Sequence, residues 1–150
     1  MNKNKTNDGF NENLLSELKK NSRMSYRKIA KKTGVSTTTI IERMKKLEQE
    51  GIIKKYTISV NYEKLGYDFM AVIQISIAQG HLIEVQKKIS LLSGIIGVYD
   101  VTGKYDSIVI AMAKNRTEFN NLIKKISSTQ NVERTNTSIV LNVIKNPMDF

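Results

Sequence analysis

Cysteine is absent from this chain, which excludes disulfides, thiolate metal sites and a cysteine nucleophile. Histidine occurs once, as His81, so a site built from several histidines is excluded as well. No apolar run approaches the roughly 20 residues that a membrane-spanning helix needs. The opening residues MNKNKTNDGF lack the apolar stretch of a signal peptide, and the compartment expected on that ground is the cytoplasm. Acidic residues are in the minority: 14 Asp and Glu stand against 24 Lys and Arg, a formal net charge of +10. No carboxylate pair, nucleophile–base arrangement or metal cluster stands out, so catalysis is the least supported class of function. Asp100 and Asp106 are close in sequence, but a strand and a turn separate them, and a solvated or ligand-binding role suits them better.

The excess of positive charge is uneven. Residues 1–60 carry 14 Lys and Arg against 6 Asp and Glu, whereas residues 61–150 carry 10 against 8. Basicity gathered on one segment is the electrostatic footprint of a polyanion binder, although a solvated basic face would have the same composition. The chain is long enough to bury one core or two small ones.

Within the basic part, Ser25–Glu50 (SYRKIAKKTGVSTTTIIERMKKLEQE) reads as two short helices meeting at a tight corner. Ile29 and Ala30 on the first face Val35, Ile40, Met44 and Leu47 on the second. Gly34 sits at the corner, where a residue without Cβ enters the left-handed region cheaply. Ser36 follows as an N-cap. A small residue at the crossing, glycine at the corner and a Ser/Thr-rich start to the second helix together predict a helix-turn-helix, whose second helix enters a DNA groove. The outward side chains of that helix are Ser36, Thr37, Thr38, Ile41, Glu42 and Lys45, placed to reach base edges. Arg27, Lys28, Arg43 and Lys46 lie on the flanks, suited to phosphates. Capping and solvent exposure would account for the threonines equally well.

Around this pair, residues 1–9 read as a polar mobile arm, and a helix runs from Phe10 to Lys20 with Phe10, Leu14, Leu15 and Leu18 buried. Gly51 ends the helix pair. Ile52–Asn61 reads as a strand or an extended connector, and the turn-rich Asn61–Tyr67 places a boundary, giving domains 1–60 and 61–150. The second half alternates strands Phe69–Ala78, Ile95–Thr102, Ser107–Ala113 and Val132–Ile144 with helices Leu82–Leu92 and Arg116–Ser127. The expected class is α+β: an N-terminal helix-turn-helix, winged-helix-like domain and a C-terminal ferredoxin-like βαββαβ sandwich. Helices cover one sheet face only, and alternation alone leaves open which one; with Val72, Ile108, Ile110, Met112 and Val140 on the second face, both are too apolar to leave in water. Packing against a second copy, as an obligate dimer, resolves that exposure.

Several stretches together make the chain similar to the leucine-responsive regulatory protein/AsnC (Lrp/AsnC) family of transcription regulators, from about Phe10 to Lys145. They are Arg23–Ala30, Gly34-Val35-Ser36, Arg43 with Lys45–Glu48, Glu50–Tyr56, Asn61–Gly66, Val101–Asp106 and Thr135–Leu141. One departure is at the start of the first helix, where Asn7-Asp8 and Asn11 replace the family's usual Leu-Asp pair and further Asp. The resemblance implies double-stranded DNA as one partner, self-association as a homodimer that builds tetramers or octamers, and a free amino acid as effector, with no cofactor, metal or membrane. Carried over residue by residue, it implies an effector site at Gly103, Tyr105 and Asp106 with Thr135, Thr137 and Ser138. Gln79, Gly80 and His81 come in from a neighbouring dimer. A hairpin turn alone would also explain Gly103–Asp106. The function expected is sequence-specific, effector-responsive transcription regulation; the alternative is a general DNA-organising protein of the same fold with little sequence choice.

Overall fold

The computed structural model describes residues 5–145. The chain forms two compact units that meet in sequence between Ser59 and Val60. The first contains three helices, α1 (Lys5–Lys20), α2 (Tyr26–Thr33) and α3 (Thr37–Gln49). Leu14 and Leu18 of α1 join Ile29, Ala30, Ile40, Met44 and Leu47 in one buried cluster, with Phe10, Val35 and Ile53 packed at its margin. Helical spacing alone puts these residues on facing stripes, so burial of the stripes holds the three helices together.

Caps fix where α2 and α3 begin and end. Ser25 Oγ accepts the Lys28 N–H at 3.3 Å, and Ser36 Oγ accepts the Thr39 N–H at 3.0 Å. Between them Gly34 takes φ +73°, and its N–H closes on the Ala30 carbonyl at 2.9 Å. The corner is tight because a residue with φ > 0 reverses the chain in one step.

One expectation changes in this unit, and a second, left open between two forms, is decided. Polar composition predicts an arm through residue 9, but α1 begins at Lys5; residues 1–4 lie outside the described residues. Once Phe10, Leu14 and Leu18 anchor a helix, each added N-terminal residue gains a backbone hydrogen bond without a new nucleus. The period-two stretch Ile52–Asn61 forms no strand. It is the extended connector, because among the described residues no segment offers it a ladder. Glu63–Leu65 then makes one short 3-10 turn.

The second unit contains β1 (Phe69–Ile77), α4 (Leu82–Ser90), β2 (Ile95–Asp100), β3 (Ser107–Ala113), α5 (Arg116–Ser127) and β4 (Val132–Ile139). The four strands form one antiparallel sheet in the order β2-β3-β1-β4. Ala71, Ile73, Ile75, Val109 and Ala111 face α4 and α5, burying Val85, Ile89, Phe119, Leu122 and Ile126. The opposite face, by register, carries Val72, Gln74, Ile108, Ile110 and Met112. Val72, Ile108 and Ile110 remain half-buried there, whereas Met112 is covered.

Four elements stop earlier than periodicity predicts: β1 at Ile77, α4 at Ser90, β2 at Asp100 and β4 at Ile139. For β4 the reason is its only neighbour. Val140 N–H still reaches the Met70 carbonyl at 2.8 Å, but β1 begins one residue earlier, at Phe69, so Leu141–Ile144 has nothing to pair with. Just past the C-terminal end of α4, Gly94 (φ +90°) is forced by space as well as by backbone. A Cβ there would lie 2.5 Å from the Met112 carbonyl oxygen, and the Met112 N–H donates to Gly94 O at 2.7 Å. Among the described residues no helix is long and apolar enough to cross a membrane.

Candidate DNA-binding face and effector site

Helix α3 presents opposite faces of opposite character. Ile40, Met44 and Leu47 are buried, and Thr37, Thr38, Ile41, Glu42 and Lys45 are exposed. Ile41 keeps 47% of its surface in solvent. Ser36 differs from the rest of the set. Its hydroxyl caps the Thr39 N–H and also contacts Thr39 Oγ1 at 2.9 Å, so the helix start has first claim on it. Arg27 and Lys28 are exposed on α2, while Arg43 is half-buried. Lys46 pairs with Glu50 at 3.6 Å one turn on, an exposed pair that phosphate can compete for.

Two contacts brace this face from behind, neither of which periodicity reveals. Glu17 of α1 accepts from Lys20 at 2.8 Å and from Lys32 of α2. These two ammonium groups hold its carboxyl far below the ordinary range, at about 2. Tyr56, in the extended connector, donates its hydroxyl to Glu48 of α3 at 2.7 Å. Burial, reinforced by that carboxylate, pushes the Tyr56 phenol well above its usual range.

The expected effector residues fall into three groups. Asp106 lies where β3 begins, bonded three times to its neighbours: its N–H to Ile75 O (3.0 Å), its carbonyl from Val101 N–H (3.2 Å), and its Oδ2 from Ile77 N–H (2.8 Å). The carboxylate thus clamps the end of β1. Gly103 (φ +121°) turns the β2–β3 hairpin, and Tyr105 is half-buried with the Lys104 ammonium 5.6 Å from its ring centroid. Gln79, Gly80 and His81 follow β1 at the same end of the sheet, all exposed. His81 Nδ1 is 3.4 Å from Glu84 Oε2; Lys88 first, and His81 second, hold the Glu84 carboxyl below its ordinary value.

On β4 the three expected residues part company. Thr135 and Thr137 pair with Ile75 and Ile73 and turn to the helix-covered face, whereas Ser138 pairs with Val72 on the open face. Thr135 Oγ1 also sits 3.3 Å from Ser127 Oγ at the end of α5. Thr135 is close to the Asp106 end of the sheet; Thr137 and Ser138 are further along the strand. A shallow cavity of about 270 Å³ opens at the opposite end, lined by Tyr67, Gly94, Met112, Glu118, Asn121 and Lys125 among others. None of the expected effector residues lines it. Glu118, Asn121 and Lys125 share one face of α5 by their three- and four-residue spacing, a signal that exists in the sequence and that the turn motif overshadows. Among the described residues no three His, Cys, Asp or Glu side chains gather as a metal site.

Comparison with known proteins agrees with this division. Residues 8–54 match a winged helix-turn-helix DNA-binding model and residues 70–150 the Lrp/AsnC ligand binding domain. An HTH-type transcriptional regulator of Pyrococcus abyssi is 45% identical over 92% of this chain and 94% of its own. The structure of Escherichia coli AsnC superposes with a TM-score of 0.84 at 29% identity, covering 93% of this chain and 97% of that one. The fold is shared too with a Neisseria meningitidis transcriptional regulator solved in complex with L-methionine (TM-score 0.85, 21% identity, 91% of each chain). These relatives are transcriptional regulators, not enzymes. The chain belongs to the Lrp/AsnC family of DNA-binding transcription regulators.

Proposed function

We propose that the chain is a sequence-specific regulator whose DNA binding or assembly responds to an amino acid. The observation that carries the DNA half is the two-sided α3: a buried stripe at Ile40, Met44 and Leu47 sets the exposed stripe at Thr37, Thr38, Ile41, Glu42 and Lys45 against a major groove. Arg27, Lys28, Arg43 and Lys46 contribute phosphate contacts and Ser36 holds the helix start. A single copy of this face binds weakly; two copies related by a two-fold axis read two half-sites about 34 Å apart, or a multiple of that.

The effector half rests on Asp106. Its Oδ2 accepts the Ile77 N–H, and a carboxylate has capacity for further donors, which a ligand ammonium supplies. Gly103, Tyr105 and the exposed Gln79–His81 segment surround that end of the sheet, with Thr135 nearest and Thr137 and Ser138 beyond it. L-methionine sits on the same fold in the Neisseria meningitidis regulator, which makes amino acids the class to test first. Coupling works by linkage: a ligand shifts DNA binding only through its different affinity for two assembly states.

A thermal-shift screen of the twenty amino acids tests the effector, since a ligand that binds only the folded state raises its stability. Footprinting tests the operator. Uniform protection with no preferred site favours the alternative, a DNA-organising protein.

A further inference from the structure

The exposed stripe of α3 is short of the side chains that read purines bidentately. It holds no arginine, asparagine or glutamine, and Lys45 is its one side chain suited to a guanine: from Thr37 to Lys45 the outward residues are Thr37, Thr38, Ile41, Glu42 and Lys45. At its centre stands Ile41, 47% exposed and absent from the helix-bundle core. Thr37 and Thr38 lie one turn before it and Lys45 one turn after, so three side chains with methyl groups form a continuous apolar strip on an otherwise polar face. The strip extends about 6 Å along the helix from residue 37 to residue 41, or about two base pairs of a groove. Its surroundings say what covers it. Glu42 and Lys45 are exposed beside it on α3, and Arg27 and Lys28 are exposed on α2 of the same unit; the unit's excess of cations suits a phosphate backbone better than a cationic partner. In a major groove the one apolar feature of a base edge is the thymine 5-methyl group.

On this basis, and resting on the DNA-binding reading above, we propose that Ile41 is the specificity-determining residue of the DNA face and reads the 5-methyl of a thymine in each half-site. Thr37 and Thr38 shape the flank of that contact, and Glu42 disfavours a phosphate or carbonyl directly beneath it. Burying one methyl against an aliphatic side chain is worth about fourfold in affinity, and about fifteenfold across two half-sites.

The test uses the full chain. A binding site is first selected from a random duplex pool. Each thymine is then replaced singly by deoxyuridine, which lacks only the methyl, and affinity is measured for the wild type and for Ile41→Ala. The expected result is one thymine per half-site whose replacement weakens the wild type about fourfold and leaves Ile41→Ala unchanged. Because Ile41 is outside the core, thermal denaturation of Ile41→Ala should match wild type, and this separates a lost contact from a lost fold. Two outcomes overturn the proposal while leaving the regulator reading intact: a selected site indifferent to deoxyuridine everywhere, or one that Ile41→Ala reads with undiminished sensitivity. Binding to all duplexes with no enriched site overturns sequence-specific reading itself.

Discussion

Gly34 holds φ +73° with open space where a Cβ would stand, so Gly34→Ala meets no atom and is opposed by backbone strain alone. The expected cost is about 1–2 kcal/mol of stability, measured by denaturant unfolding, with DNA affinity falling because α3 shifts against α2. Asp106 calls for two variants. Asp106→Ala leaves the Ile77 N–H without its acceptor and should destabilise by about 1.5–3 kcal/mol. Asp106→Asn keeps an oxygen for that N–H, should stay close to wild type in stability, and should lose the thermal shift given by an amino acid; an unchanged shift removes Asp106 from the effector site. Local roles were legible at this scale: Ser36 as a cap and Gly34 as a corner follow from neighbours within three or four residues. The clamp made by Asp106 was not, since its partner lies 29 residues away and no local pattern points to it. The division of Thr135 and Thr137 from Ser138 follows from strand parity.

Helices and strands differ in how far the sequence alone defines their ends. A helix carries its own hydrogen bonds, and α3 and α5 start and stop where caps and spacing predict. A strand ends where its neighbour ends, which is why the apolar alternation of Leu141–Ile144 yields no ladder and Ile52–Asn61 remains extended. Between elements, Glu17 ties α1 to α2 through Lys32. Its carboxyl is lowered from 4.5 to about 2, so its stabilisation is fully present above about pH 4.5 and disappears as pH falls toward 2. Glu17→Gln should therefore flatten the acid limb of the unfolding profile of the helical unit: the two proteins converge at low pH and differ most at neutral pH, by a modest amount because exposed pairs contribute little. On the DNA side, Lys28→Ala should weaken binding to all sequences alike and lower the slope of log K against log salt by about one for each copy bound.

For the molecule as a whole, we propose that the half-buried face carrying Val72, Ile108 and Ile110 packs against a second copy. Ile110→Glu puts a charge in the middle of that face and should shift sedimentation from dimer to monomer, with loss of two-half-site binding; a dimer that persists would place the interface elsewhere. Class and architecture were readable because polarity patterns of period 3.6 and period 2 alternate cleanly along the chain. Which strand face meets the helices was not, because both faces of β1 and β3 are apolar enough to serve. The strand order β2-β3-β1-β4 also has a consequence during synthesis. β1 pairs with β3 and β4, both later in the chain, and β4 emerges about 55 residues after β1 is complete. At ordinary elongation rates of about 5–20 residues per second, the apolar strand FMAVIQISI waits some 3–11 s for its last partner. Meanwhile the helical unit, whose contacts are local, can fold on emerging. Nascent chains arrested before Val132 should therefore hold a folded basic domain and an aggregation-prone tail, the window in which a chaperone has most to do.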